Sequence, residues 1–231
     1  MSNKVVKKGA ILLCILLLPT VAFFILHSGS HNFKAPPIYG PKSLAENGMD
    51  TIYHSIPSFE FTNHLGEKVT SKDYEGKIYV ADFFFATCPT ICPKMTTNMG
   101  YIQKKFDDRK NLRFISITVN PEHDTVEVLK AYSEMVHADN RNWDFLTGAK
   151  EDIYDIAFNG FFVNADKDEI APGGFLHSQY FLLIDKNAHI RGIFDGTIHK
   201  EIKEKLTDAI DILYKEEIVP LKGQKKNKVE Q

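Results

Sequence analysis

The stretch KIYVADFFFATCPTICPKM, residues 77–95, contains the features on which both the fold and a candidate site depend. Its first part, residues 77–85, is a strongly apolar run rich in aromatic and β-branched residues, which is typical of a buried central strand. Its second part opens a predicted helix at residues 93–106, whose apolar residues recur at helical spacing. Cys88 and Cys92 therefore lie between a buried strand and a helix.

Alternating strands and helices continue along the chain from this unit. The further predicted strands cover residues 59–62, 68–70, 112–119, 143–146, 179–184 and 190–194, and the further helices cover residues 124–137, 150–158 and 200–215. A right-handed crossover places the strands at 77–85 and 112–119 side by side and parallel, and the last two strands form an antiparallel hairpin. The pattern predicts an α/β fold, a thioredoxin-like mixed sheet flanked by helices. In such sheets the loop after a central strand is a usual place for a functional site.

The N-terminus carries the signal of a membrane anchor. Lysines at positions 4, 7 and 8 precede an apolar run that is long enough, at about 17 residues, to cross a bilayer. We predict a transmembrane anchor at residues 10–27 with residues 1–9 in the cytoplasm, because positive charge favours that side. A cleaved signal peptide is the alternative, and it sends the rest of the chain to the same side of the membrane.

The remaining chain is predicted to contain one domain. Residues 28–50 include three prolines and few apolar residues and are predicted to be a linker, residues 51–218 the domain, and residues 219–231 a disordered tail. The net charge of -2 and the lack of a basic stripe give no reason to expect a nucleic acid as a partner.

Cys88 and Cys92 form the only cysteine pair in the exported part, since Cys14 lies inside the apolar run. Their i, i+4 spacing at a helix start predicts two sulfurs on one face, one turn apart, where the positive end of the helix favours the thiolate form. Two soft thiolates suit Cu(I), and they suit a disulfide equally well. The spacing alone leaves both possibilities open.

A third metal ligand has to come from a distant part of the sequence. His177 is the best candidate, because it follows the glycine-containing turn at residues 173–174 and directly precedes the predicted strand at 179–184. The other histidines considered look like surface residues; they are His54, His64, His123, His137, His189 and His199.

Three blocks of sequence resemble the Sco/SenC family of copper chaperones for cytochrome c oxidase assembly. The blocks are FFFATCPTICP at residues 83–93, SITVNPEHDT at residues 116–125, and His177-Ser178 followed by FLLID at 181–185 and RGIFDGT at 191–197. They occur in the family's order and span almost the whole predicted domain. Asn120 and Leu176 depart from the family pattern, which usually has aspartate at the first position and often at the second.

The resemblance implies a thioredoxin fold and copper, as Cu(I), Cu(II) or both, held by Cys88, Cys92 and His177. It also implies a task in building the binuclear copper A site, with the copper-binding subunit of the oxidase or another copper protein as partner. Because no Arg- and Ser-rich presequence opens the chain, we predict a bacterial inner membrane with the domain in the periplasm.

Two functions follow from these residues. One is a metallochaperone, a binding and transfer protein in which no substrate bond is broken. The other is a thiol–disulfide reductase, in which Cys88 attacks and Cys92 resolves. A peroxidase with Thr87 beside a peroxidatic Cys88 ranks lower, because a second cysteine four residues away does not match that arrangement.

Overall fold

The computed structural model describes residues 13, 15–21, 23, 35–45, 48, 50–163 and 178–218, with side chains up to residue 216. The chain divides into two compact units, Met1–Lys34 and Ala35–Gln231. The described residues of the first unit are helical. Within the described ranges, no helix combines the length and the apolar character that a membrane crossing requires. Half of the predicted anchor and the whole of the predicted tail lie outside those ranges.

Strands and helices alternate through the second unit. The strands are β1 (Lys42–Leu44), β2 (Thr51–Tyr53), β3 (Glu60–Asn63), β4 (Lys68–Thr70), β5 (Ile78–Phe84), β6 (Leu112–Thr118), β7 (Trp143–Thr147), β8 (Tyr180–Ile184) and β9 (Ile190–Asp195). The helices are α1 (Cys92–Lys105), α2 (Val126–Met135), α3 (Lys150–Asp155) and α4 (Thr207–Ile218). A 3-10 turn at Ser71–Tyr74, π-helical turns at Ile156–Gly160 and Ile202–Leu206, and a helical turn at His199–Glu201 complete these elements.

Seven of the strands form one sheet in the order β4-β3-β7-β6-β5-β8-β9. The pairs β5–β6 and β6–β7 are parallel, whereas β8 pairs antiparallel with β5 and with β9. The predicted mixed sheet flanked by helices is therefore confirmed, including the parallel crossover and the closing hairpin. Its register aligns Phe84 with Thr118, so β5 and β6 end at the same edge.

The apolar run predicted as the central strand forms β5, and all seven of its residues are buried. Buried side chains that point to both faces of a strand are what a parallel sheet covered on both sides requires. Helix α1 packs on this core through Met95, Met99 and Ile102, which lie one turn apart and are at most 1% exposed. The predicted apolar stripe of α1 is thus its buried face.

Two short strands, β1 and β2, lie within or beside the segment predicted as a linker, and they pair with each other antiparallel. The segment is also bonded to the domain, since the Tyr39 N–H donates to the Ile190 carbonyl at 2.9 Å. All six residues of the two strands are exposed. Without a buried face there is no apolar alternation in the sequence from which to predict them.

The interpretation of His64 as a surface residue is wrong, because its side chain is fully buried. Its Nε2 lies 3.0 Å from Asn140 Oδ1, and the Phe145 N–H donates to its Nδ1 at 3.3 Å. The neighbouring Leu65 and Gly66 form an exposed turn after β3, so the local sequence predicts an exposed histidine. The burial comes from packing against the distant strand β7, which sequence spacing does not report.

Candidate metal centre

The candidate site lies in the cysteine loop, residues 85–91, which connects the carboxyl end of β5 to α1. Cys92 is the first residue of α1, and Cys88 lies in the loop before it. The sequence predicted two sulfurs on one helical turn. The structure brings them together differently, because the loop folds Cys88 back over the start of the helix instead of extending the helix to include it.

Both cysteines are free thiols and both are nearly inaccessible, with 6% of Cys88 and 4% of Cys92 exposed. Their side chains are within hydrogen-bonding contact of each other. The sulfur of Cys88 also lies 3.7 Å from Thr90 Oγ1. Two adjacent sulfurs in one recess can either bind a soft cation together or join as a disulfide.

The surroundings of Cys88 favour its thiolate form. Burial acts to raise the pKa of the Cys88 thiol, but the backbone N–H groups of Cys92 and Thr90 donate to its sulfur and hold the pKa below the usual value. The Cys92 N–H is available because it is the first of α1 and has no acceptor within the helix, whereas the Thr90 N–H belongs to the loop before the helix. The start of α1 therefore supplies one of the two N–H groups that bond to the Cys88 sulfur.

Cys92 has the opposite character. Burial raises the pKa of the Cys92 thiol well above the ordinary value. A hydrogen bond with the Phe85 backbone acts to lower this pKa, but the neighbouring charges of Cys88 and Asp82 raise it further. The prediction that the helix start favours thiolate thus holds for Cys88 and not for Cys92. The two sulfurs differ in reactivity, with an activated one in the loop and a protonated one on the helix.

A buried carboxyl group lies beneath the pair on β5. Asp82 accepts a hydrogen bond from Ser116 Oγ at 2.5 Å, and Ser116 Oγ in turn accepts one from Trp143 Nε1 at 3.0 Å. Burial raises the pKa of Asp82 to about 7, against the lowering effect of Ser116. Sequence reasoning missed this residue, although a lone acidic residue inside an apolar run is the signal that marks it.

Aromatic side chains form the wall beside the two sulfurs. The ring of Tyr132 lies 5.2 Å from that of Phe84 and 5.7 Å from that of Phe145, and its hydroxyl bonds to Thr96 Oγ1 at 2.9 Å. Burial, together with the charges of the cysteines and Asp82, raises the pKa of Tyr132 to about 12. The wall keeps water away from one side of the thiols, which strengthens their electrostatic interactions.

A cleft of about 430 Å³ opens beside the first turns of α1. His199 lines it, with Nδ1 2.7 Å from Asn98 Oδ1. Asn98 is oriented by its own bond to the Gly196 carbonyl at 2.7 Å. His199 is exposed, as predicted, but its ring orientation is set by these contacts.

His177, the predicted third ligand, lies outside the described residues, so its place relative to the sulfurs stays a prediction. Within the described part of the chain, no three histidine, cysteine or acidic side chains come together in a way that could hold a metal ion. Cys88 and Cys92 alone provide two soft donors, a set that fits Cu(I) better than a hard cation.

Comparison with known proteins identifies the family of this arrangement. Residues 49–211 match the family model described as SCO1/SenC. The chain belongs to the SCO1/SenC family. The resemblance seen in the three sequence blocks is thereby confirmed over most of the domain.

Three SCO1/SenC relatives illustrate the similarity. The SCO1 protein homolog of Bacillus subtilis is 30% identical over 162 residues, which cover 69% of this chain and 83% of the relative. The solved structure of BsSco is 29% identical, with a TM-score of 0.60, and the match covers 69% of this chain and 94% of that one. BsSco is described as a member of the Sco family of cytochrome c oxidase assembly proteins with a disulfide switch. The copper-bound structure of Arabidopsis thaliana ScoI is 22% identical with a TM-score of 0.57, covers 69% and 98%, and shows the shared fold.

Proposed function

We propose that this chain is a copper metallochaperone that delivers copper to the binuclear copper A site during cytochrome c oxidase assembly. The observation that carries the proposal is the buried contact between Cys88 and Cys92, two free thiols at the edge where β5 ends. A pair of soft donors shielded from water suits Cu(I). Family membership supports the role, since BsSco belongs to a family of oxidase assembly proteins and Arabidopsis ScoI has been solved with copper bound.

Cys88, Cys92 and His177 are the proposed ligands of the cargo. The Cys88 thiolate binds first, and Cys92 binds as its proton is displaced, because a thiol must be deprotonated to act as a ligand. His177 then completes a three-donor set for Cu(I) or joins the site for Cu(II). Copper passes to the partner by exchange of ligands, with no bond in a substrate broken.

The proposed location is the inner membrane of a bacterium, with one anchor at residues 10–27 and the domain in the periplasm. The lysines before the apolar run support this orientation. An anchor keeps the chaperone at the membrane in which the oxidase is assembled. The test is fractionation of cells that express the full chain, followed by protease treatment of spheroplasts. Recovery in the soluble fraction, or protection from the protease, contradicts the location.

Copper titration of the full chain in detergent tests the ligand set. Reduced protein is titrated with Cu(I) against a chromophoric chelator, and the same measurement follows for Cys88→Ser, Cys92→Ser and His177→Ala. We expect one copper per chain and a loss of at least about tenfold in affinity for each variant, since each removes a direct ligand. Cys14→Ser and His199→Ala are the matched controls and keep the affinity of the unmodified chain.

Two outcomes contradict the copper proposal. Failure of the reduced, unmodified chain to bind copper removes the metallochaperone function, and unchanged affinity in His177→Ala removes the third ligand. Delivery is tested separately by mixing the copper-loaded chain with the copper-binding domain of the oxidase and following the copper A spectrum. Absence of transfer in that mixture contradicts the proposed target.

A second function, thiol–disulfide reduction, is favoured by the unequal thiols. The Cys88 thiolate attacks a partner disulfide and forms a mixed disulfide, releasing one partner thiolate that takes up a proton. Cys92 then loses its proton and attacks Cys88, which releases the second partner thiolate and leaves the Cys88–Cys92 disulfide. The partner gains two electrons and this chain loses two, so the reaction balances.

A trapping experiment tests the reductase function. With Cys92→Ser the mixed disulfide on Cys88 cannot be resolved, so the reduced variant incubated with an oxidised copper A domain accumulates a covalent complex. Cys88→Ser is the matched control and traps nothing. Absence of a complex with Cys92→Ser, together with full copper binding by the unmodified chain, leaves the metallochaperone as the single function.

A further inference from the structure

A fully buried carboxylate connects the cysteine loop to the loop that follows β6. Asp124 Oδ2 accepts hydrogen bonds from the Ala86 N–H at 3.0 Å and from Thr118 Oγ1 at 2.5 Å. Its other oxygen, Oδ1, lies 2.9 Å from Nδ1 of His123. Asp124 comes immediately before Thr125, which caps α2, so its backbone position is set by that helix.

The first of these contacts reaches the segment that holds Cys88. Ala86 is the second residue of the cysteine loop, and the Cys88 N–H donates to the Phe85 carbonyl at 3.2 Å. The turn from Phe85 to Cys88 is thus closed by its own backbone and attached at Ala86 to Asp124.

The second contact attaches the same carboxylate to the sheet. Thr118 is the last residue of β6 and pairs with Phe84, the last residue of β5, in parallel register. The Val119 N–H extends this pairing by donating to the Phe84 carbonyl at 2.8 Å. Asp124 therefore connects the turn before Cys88 to the paired ends of β5 and β6.

We infer that Asp124 is a positioning residue for Cys88. Its carboxylate holds the turn at Ala86 so that the Cys88 sulfur stays against Cys92 on the fixed start of α1. The part of this inference that concerns copper rests on the proposed function, whereas the part that concerns the two sulfurs does not. Groups held by a network of this kind lose their relative placement when the support is removed, even though the support touches neither sulfur.

Loss of Asp124 is expected to lower the effective concentration of the Cys88 sulfur at the Cys92 sulfur. When the Ala86 N–H loses its acceptor, the turn gains conformations in which Cys88 is turned away from Cys92. Both the disulfide and a two-sulfur copper site need the sulfurs together, so both become weaker by a similar factor. We expect a loss of about tenfold in the equilibrium constant for disulfide formation, equivalent to about 30 mV in the reduction potential.

The experiment equilibrates the metal-free full chain with reduced and oxidised glutathione. The dithiol and glutathione disulfide give the Cys88–Cys92 disulfide and two molecules of glutathione, and the two protein forms are counted by mass after acid quenching. Asp124→Ala is the test variant. Asp124→Asn is the conservative variant, because its amide oxygen can still accept from Ala86, and it recovers most of the equilibrium constant. Cu(I) affinity is then measured for the same set.

The matched control separates positioning from general loss of stability. Asn63 is 3% exposed, and its Oδ1 accepts from the N–H groups of Leu65 at 3.0 Å and Glu67 at 2.9 Å, so it supports a turn in the same way at the β3–β4 hairpin. Asn63→Ala lowers the melting temperature and leaves the glutathione equilibrium unchanged. Where Asp124→Ala does not fold, Thr118→Val carries the test with a smaller shift in the same direction.

Each outcome decides one question. An unchanged equilibrium constant in a folded Asp124→Ala or Thr118→Val, or an equal shift in Asn63→Ala, overturns the positioning role. A shifted glutathione equilibrium in a chain that binds no copper supports the positioning role while removing the proposed copper function. The two ideas therefore fail on different measurements.

Discussion

Arg191 donates from Nε and from a terminal nitrogen to the carbonyl of Pro36, at 3.1 and 2.9 Å, across 155 positions of sequence. Its side chain is 5% exposed and also pairs with Asp185 at 3.0 Å and Glu216 at 2.8 Å. We expect Arg191→Ala to lower the free energy of unfolding by about 3–5 kcal/mol, because it leaves two carboxylates without their buried cation. Urea unfolding followed by circular dichroism measures this loss.

The comparison for Arg191 is an exposed arginine. Arg141 pairs with Asp107 at 2.8 Å, but its side chain is 75% exposed. Arg141→Ala is expected to change the free energy of unfolding by less than about 1 kcal/mol, as is usual for surface ion pairs. Similar losses for the two variants would contradict a special role for the buried network that attaches Pro36 to β9 and α4.

Asp82 makes stability depend on pH. Its pKa in the folded chain is about 7 and the ordinary value is 3.8, so the folded state holds a proton that the unfolded state releases between these values. The contribution of Asp82 to stability is therefore fully present below about pH 4, falls as pH rises towards about 7, and is level above that. This one group accounts for a decrease on the order of 4 kcal/mol.

Asp82→Asn tests that dependence, because the amide stays neutral and still accepts a hydrogen bond from Ser116. We expect the variant to be more stable than the unmodified chain at pH 8 and to lose most of the slope between pH 4 and 7. Chemical unfolding at five or six pH values measures both. A slope that persists in Asp82→Asn assigns the proton to a different group.

The two thiols are expected to react at different rates. In a chain with Cys14→Ser, the variant Cys92→Ser leaves Cys88 alone, and Cys88→Ser leaves Cys92 alone. At pH 7 iodoacetamide should modify Cys88 at least about tenfold faster, since only the thiolate reacts and the pKa of Cys88 is lowered while that of Cys92 is raised. Equal rates in the folded state would show that the N–H donors of Thr90 and Cys92 do not activate Cys88.

His64 is expected to contribute more stability than its place in a turn suggests. Its buried ring accepts from Phe145 N–H and bonds to Asn140, so His64→Ala should cost about 2–4 kcal/mol through the cavity and the unpaired N–H. Asn140→Ala leaves the Nε2 of His64 without that partner but opens no cavity in the core, so it should cost less, about 1–2 kcal/mol. Thermal unfolding of the two variants checks the difference, and a larger loss in Asn140→Ala would contradict it.

The elements that sequence reasoning predicted well are those with a buried face. Strand β5 and helix α1 were predicted to within one or two residues because their apolar residues follow a strand-like run and a helical stripe. Strands β1 and β2 have no buried residue, so their positions depend on hydrogen bonds that leave no periodic trace. The burial of His64 likewise comes from a strand 81 positions away.

The candidate site was predictable in its residue types and not in its geometry. Cysteine spacing pointed to Cys88 and Cys92, but only the folded loop reveals that one sulfur receives two N–H donors and the other does not. Asp82 and Asp124 were not assigned to the site, because what matters for each is its burial and its long-range partners.

The depth of the two sulfurs sets which molecules can react with them. With 6% of Cys88 and 4% of Cys92 exposed, a thiol or disulfide, glutathione included, reaches either sulfur only when the surrounding loop moves. Reaction at either thiol is therefore limited by movement of the loop, and a partner that moves the loop as it docks reacts faster than a small thiol in solution. Under the proposed copper function, this difference slows the loss of copper to small thiols.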